Sequence, residues 1–271
     1  MSAQPAIADS LTILSKDEPA NYRWHGQERV SRVLVLCDHA SANIPLSLNN
    51  LGVSEAERAR HIGYDIGAAA VAEIVADALQ APCIFTNYSR LVLDVNRELD
   101  DPSSIPPVSD HTPIAGNQNL SAAQKEQRAQ ELFYPYHQQI KQHLLAIRDR
   151  GEVPVIISMH SFTPIMNDFV RPWHVGLLWD NDPRMAVPIM QKLAAIDGVV
   201  VGDNEPYSGR LHKGYTMEHH VIGLGLPGCL LEIRQDLIAD AAGQKKWADI
   251  LIPVLRECLE EDGMNEVRIY G

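Results

Sequence analysis

The chain has 271 residues, 45% of them apolar and 21% charged, an ordinary globular balance whose length suits one α/β domain with elaborated loops. A net charge of -12 argues against a nucleic-acid partner, because phosphate binding needs a basic surface, and an anionic small ligand would need local arginines. No stretch approaches the ~18 consecutive apolar residues of a membrane span, and the opening "MSAQPAIADSLTIL" lacks the basic end and apolar block of a signal peptide, so no membrane partner and a cytoplasmic setting are expected.

In chain order, residues 1–30 show little periodicity and read as an N-terminal arm. "RVLVLC" (32–37) reads as a short buried strand, and "SEAERARHIG" has the Ser54 to Glu57 spacing of a capped helix start. "IGAAAVAEIVADAL" (66–79) is apolar at helical spacing, and "CIFTNY" and "LVLDVN" read as two strands divided by Ser89-Arg90. Residues 98–120 hold four prolines and many turn formers, which points to a functional loop or lid. A helix is expected from about 121 to 149, interrupted at Pro135, then strands at 153–159 and "HVGLLWD". A helix after Pro183, a strand in "GVVVG", a polar loop, the strand "CLLEIR" (229–234) and a helix over roughly 243–261 complete the chain. The cysteines at 37, 83, 229 and 258 form no CxxC pair and read as reduced, buried thiols. Strands alternating with helices predict one domain over 1–271, with a mostly parallel sheet, helices on both faces, and ligands beyond the strands' carboxyl ends.

Two strands end on a histidine: "RVLVLCDHAS" on His39 and "VPVIISMHSF" on His160. A strand end holds a side chain on rigid scaffold while leaving its tip open to a crevice. Two imidazoles and a carboxylate so placed make a catalytic zinc site. Asp65 in "GYDIG" is the preferred third ligand, with Asp38 the alternative, although Asp38 points away from His39 along an extended chain. Asp65 also fits a simple helix cap. Glu232 stands inside the apolar run "GCLLEIRQDL", where a buried carboxylate needs a partner. It is either the general base or the structural partner of Arg234. "SRLVLDVNR" brings Arg90, Asn96 and Arg97, a candidate carboxylate clamp, because a guanidinium grips a carboxylate with two parallel hydrogen bonds.

The set "CDHASANIP", "GYDIGA", "SRLVLDVNR", "YPYHQQI", "SMHSF", "DNEPYSG" and "EIRQDL", in this order over residues 33–260, resembles the N-formylglutamate amidohydrolase family, itself related to zinc carboxypeptidase-like hydrolases. The resemblance implies a three-layer, phosphorylase/hydrolase-like α/β fold and zinc-dependent cleavage of a small N-acyl amino acid, formate and L-glutamate being the products for the family's named substrate. It implies His39 and His160 as metal ligands, Glu232 as base, and Asn96 with Arg97 as substrate clamp. Zinc peptidases often place a glutamate three residues after the first histidine; here that position is Ala42, which leaves the carboxylate ligand open between Asp65 and Asp38. Within that mechanism Arg90 or Tyr215 would stabilise the oxyanion, and Tyr207 and Tyr215 would close over the ligand. His137 reads as a brace or as core packing, and His219 and His220 as structural. A peptidase acting on peptide or cell-wall fragments and a non-catalytic binding protein are the alternatives. Oligomeric state is left open.

Overall fold

The structure is a computed structural model that describes residues 12–211 and 214–270. The first part of the expected arm, residues 1–11, lies outside the described residues. Its remainder includes the edge strand β1 (Tyr22–His25), which pairs antiparallel with β3 (Cys83–Thr86). The other strands of the main sheet are β2 (Val33–Cys37), β6 (Val155–Phe162), β9 (Val175–Leu178), β10 (Val201–Asp203) and β11 (Gly228–Arg234). Two small hairpins, β4 (Val108–Ser109) with β5 (Thr112–Pro113) and β7 (Ile165–Met166) with β8 (Phe169–Val170), stand apart from it. The helices are α1 (Glu55–Arg58), α2 (Ala68–Leu79), α3 (Ala122–Arg128), α4 (Tyr134–Asp149), α5 (Ala186–Ala194), α6 (Tyr215–His220) and α7 (Ala241–Leu259). None of the described helices is long and apolar enough to cross a membrane.

The sheet order is β1-β3-β2-β6-β11-β9-β10. β3, β2, β6 and β11 run parallel, while β1 and the β9–β10 pair run the other way. Every residue of β2 and β6 is buried, the pattern of strands covered on both faces. Val35, Phe85, Ile157, Met159 and Leu231 face α2, α5 and α7; Leu34, Leu36, Ile156 and Leu230 face α4 and α6. α4 presents Tyr136, Ile140, Leu144 and Ile147 at helical spacing to that second face. The mixed, mostly parallel three-layer sheet is therefore as expected.

Three elements differ from the sequence reading. "LVLDVN" is not a strand. Val92 N–H donates to Ser89 O, Asp94 N–H to Ser104 O and Arg97 N–H to Asp94 O, so local turns consume the backbone groups a ladder would need. β6 runs on past Met159 to Phe162, which puts His160 inside the strand rather than at its end. At Pro135 the helix is not broken: a π turn over Ala129–Phe133 carries it from α3 into α4, with Tyr134 N–H donating to Ala129 O. Proline's missing donor falls where the hydrogen-bond ladder is already shifting. The cysteines are all buried and unpaired.

Candidate metal centre

The chain leaves β2 for β3 through α2 on one face and reaches β6 through α4 on the other. The carboxyl ends of β2 and β6 therefore diverge into a crevice at the switch of strand order. His39 lies two residues beyond the last residue of β2, and His160 points from β6 to the α4 side, as Ile156 does. In β11, Glu232 is in register with His160 and shares its face with Leu230. Asp65 arrives from the turn before α2. Its N–H donates to His39 O at 2.9 Å, and Ser161 Oγ donates to the neighbouring Ile66 O at 2.9 Å. α2 itself begins after Gly67 (φ +78), where a Cβ would come within 2.1 Å of Ile238 O. The helix takes no side-chain cap, so Asp65 is free for the imidazoles.

His39, Asp65 and His160 form a buried group whose ligand atoms all lie within 4.8 Å of one another. Asp65 Oδ2 is 2.8 Å from His160 Nδ1 and 3.3 Å from His39 Nδ1, and the two rings sit with centroids 5.0 Å apart. Tetrahedral zinc with bonds of about 2.0–2.1 Å needs donors roughly 3.3 Å apart, so this group fits such an ion. Each ring is held from behind. His39 Nε2 donates to Asp94 Oδ1 at 2.8 Å, and His160 Nε2 faces Ser158 Oγ at 3.1 Å and Asp38 Oδ2 at 3.3 Å. Asp38 Oδ1 in turn accepts from the Tyr136 hydroxyl at 2.8 Å. Carboxylates behind ligating imidazoles fix tautomer and ring orientation, which leaves both Nδ1 atoms for an ion. Asp38, the alternative third ligand, belongs to this backing layer.

The charges point the same way. Asp38, Asp65, Asp94 and Glu232 are all buried around this centre, and among the described residues Arg90 alone forms arginine ion pairs with any of them. Burial raises the Asp65 carboxyl, but the His39 and His160 rings outweigh it and hold it below the ordinary range. Burial disfavours a charged His160, yet Asp38 and Asp65 raise it well above the usual imidazole value. His39 is raised as well: Asp94 and Asp65 overcome burial and the Arg90 charge. Such a centre is built to hold positive charge. Glu232 is pushed up to about 7, chiefly by burial and secondarily by Asp65, against the pull of the imidazoles and Arg90. Its Oε2 is buried with no hydrogen-bond partner among the described residues. Arg234 pairs with Asp236 instead, at 2.8 Å, so the structural pairing open to Glu232 in the sequence is not made.

The other candidates divide. Arg90 reaches the centre, but its guanidinium is committed to Asp94 Oδ2 at 2.6 Å and approaches Asp65 Oδ1 at 3.5 Å, so it meets the carboxylates of the candidate centre. Asn96 Oδ1 accepts from Thr216 N–H at 3.0 Å, and its amide donors have no partner among the described residues. Arg97 makes no side-chain hydrogen bond or ion pair among the described residues and lines the crevice beside Asn96. Tyr207 lines it too, held by Arg171, whose guanidinium lies 4.9 Å from the ring centroid. Tyr215 is not brought to the centre: its ring is packed against Phe133, His137 and His219. His137 donates to Val95 O at 2.8 Å and accepts from His220 Nε2 at 3.0 Å, bracing the segment that carries Asn96 and Arg97. Asp94, Tyr136, Ser158 and Arg171 were not singled out from sequence. Asp94 carried the same signal as Glu232, a carboxylate in an apolar run; Arg171 carried none.

The crevice has two compartments. An inner one of about 160 Å³ holds His39, Asp65, His160 and Glu232 above Leu178 and Leu230. An outer one of about 480 Å³ shares His61, Arg90, Arg97 and Tyr207 with it and is walled by residues of the 98–120 segment. That segment is tied down by Asn117, whose amide donates to Leu91 O and Pro106 O, and by Arg128, which donates to Val92 O and Gly116 O.

The chain matches the family model for N-formylglutamate amidohydrolase over residues 31–239. The crystal structure of a gene product from Agrobacterium tumefaciens is similar to it at 31% identity and a TM-score of 0.87, covering 91% of this chain and 98% of that one. That of an N-formylglutamate amidohydrolase from Ralstonia eutropha is similar at 19% identity and a TM-score of 0.64, covering 89% and 97%, a likeness of fold. No curated protein matches.

Proposed function

The chain belongs to the N-formylglutamate amidohydrolase family, and from that membership we propose that it is a zinc-dependent amidohydrolase releasing formate from an N-formyl amino acid such as N-formyl-L-glutamate. The observation that carries the proposal is a buried donor set of two imidazoles and a carboxylate beside a buried glutamate whose Oε2 has no hydrogen-bond partner among the described residues.

His39 Nδ1, His160 Nδ1 and Asp65 Oδ2 would hold the ion. When bound, zinc supplies Lewis acidity, polarising the scissile carbonyl and acidifying water toward neutrality. Glu232 takes the proton of the attacking water and delivers it to the departing amine nitrogen as the C–N bond breaks, giving formate and the free amino acid. Its raised affinity for a proton suits both transfers. Arg97 and the Asn96 amide grip the substrate carboxylate and fix the carbonyl over the centre. The Tyr207 hydroxyl, kept protonated chiefly by burial and then by the Glu232 charge, is the donor facing the developing oxyanion. Arg90 acts through Asp65 and Asp94. The unpaired thiols support a reducing, cytoplasmic setting.

Purified protein loaded with zinc and given N-formyl-L-glutamate should release formate and glutamate in equal amounts. No formate there, with turnover of another N-acyl amino acid, would move the substrate assignment; no turnover of any would remove the enzymatic reading.

A further inference from the structure

The inner compartment has room for the reacting amide and little more, whereas the outer one lies in the roughly 300–1,000 Å³ range of cavities that hold drug-sized ligands. Its acids are already used. Asp94 is bound by Arg90 and His39, and Asp110 is paired with Arg60. Its donors are not. Arg97 makes no side-chain hydrogen bond or ion pair among the described residues. His61 also lines the chamber, but its Nε2 is buried and lies 3.6 Å from Asp110. His111 and Asn167 line the chamber from the tips of the β4–β5 and β7–β8 hairpins, with φ of +65 and +50. Two-residue hairpin turns require such left-handed backbones, so the tips are fixed in place. On a chain of net charge -12, a chamber whose uncommitted groups are donors is built for an anion.

We propose that the outer chamber is a second anion subsite, and that the preferred substrates are N-formyl dipeptides of acidic amino acids, cleaved at the same formyl amide. This rests on the hydrolase reading above. The formyl carbon occupies the inner compartment, Arg97 stands at the junction, and the carboxylates of the second residue face His111 and Asn167. The reaction is unchanged: water's oxygen joins the formyl carbon, the C–N bond breaks, and the amine nitrogen of the dipeptide takes the proton.

The test compares kcat/KM for N-formyl-L-glutamate, N-formyl-L-glutamyl-L-glutamate and the uncharged-ended N-formyl-L-glutamyl-L-alaninamide, on the zinc-loaded protein and on the double variant His111→Ala/Asn167→Ala. The acidic dipeptide should exceed the single amino acid by about ten-fold or more, as an added charge-assisted contact implies. The double variant should lose that gain while keeping its activity on N-formyl-L-glutamate. Equal values for the three substrates, or the same gain with the alaninamide, would overturn the subsite and leave the hydrolase reading standing. Calorimetric titration of unreactive L-glutamyl-L-glutamate gives a second readout. If no substrate is hydrolysed the proposed function fails, and binding of this dipeptide, lost in the double variant, still decides the subsite.

Discussion

Glu232 stands in register with His160 on adjacent parallel strands, and its Oε2 is buried without a hydrogen-bond partner among the described residues. A buried carboxyl left unpaired costs stability, by about 1–3 kcal/mol for the polar group alone. Under the proposed function, its placement one strand from the candidate metal centre suits it to carry the proton. Glu232→Gln keeps the shape and removes the base. Turnover should fall by about 10²–10⁴-fold with metal content unchanged. A variant that retains turnover would reassign the base; one that loses metal would make Glu232 a ligand.

Asp94 and Asp38 back the two imidazoles. Asp94→Asn should weaken metal affinity by about 10–100-fold in a chelator competition, while the far-ultraviolet dichroism stays native. Asp38→Asn should act the same way through His160, with Tyr136→Phe weaker than either. Unchanged affinity in all three would show that the rings hold their orientation without these partners.

Arg97 is assigned to the substrate carboxylate, and a lysine cannot reproduce two parallel guanidinium contacts. Arg97→Lys and Arg97→Met should both raise KM by about ten-fold or more, leaving kcat less affected. Gly214→Ala should mimic them in part, because at φ +77 its Cβ would come within 2.6 Å of Asn96 Oδ1. A fall in kcat with KM unchanged would place Arg97 in the chemistry instead.

His137 and His220 give stability a pH dependence. Burial, with neighbouring imidazole charge, pushes His137 down to about 3, and burial pushes His220 down to about 4. Unfolded histidine titrates near 6.5, so between about pH 6.5 and 4 the unfolded chain binds more protons and stability falls as the pH is lowered. The pair's contribution is complete above about pH 6.5, and up to about 2 kcal/mol per histidine is lost at pH 5. Urea midpoints at pH 8 and pH 5 check this. His137→Gln should lower the midpoint at pH 8 and flatten its change with pH; an unaltered slope would contradict the assignment.

Much of this was legible in the sequence because apolar runs covered on both faces read plainly as strands, and two of them carried His39 and His160. The group they form with Asp65 follows from the strand order, and no spacing in the chain states which strands are neighbours. Asp65 and Asp38 were hard to separate from sequence, since their roles depend on which imidazole nitrogen each one meets. Asp38 proves to face His160, 122 residues away in the chain rather than beside it. "LVLDVN" misled because its apolar residues are buried by turns around Ser89 and Asp94, and burial alone does not distinguish a strand from an irregular segment pinned by Asn117 and Arg128. Tyr215 was drawn toward the site by its loop, and the aromatic cluster around Phe133 that holds it elsewhere comes from a distant helix.

If one divalent ion is held between His39, Asp65 and His160, as the proposed function requires, inductively coupled plasma mass spectrometry of the purified protein will count it. Protein purified without chelator should carry about one zinc per chain, and His39→Ala, Asp65→Ala and His160→Ala should each lose it. Native protein without metal, iron in place of zinc, or variants that keep a full complement would contradict the account.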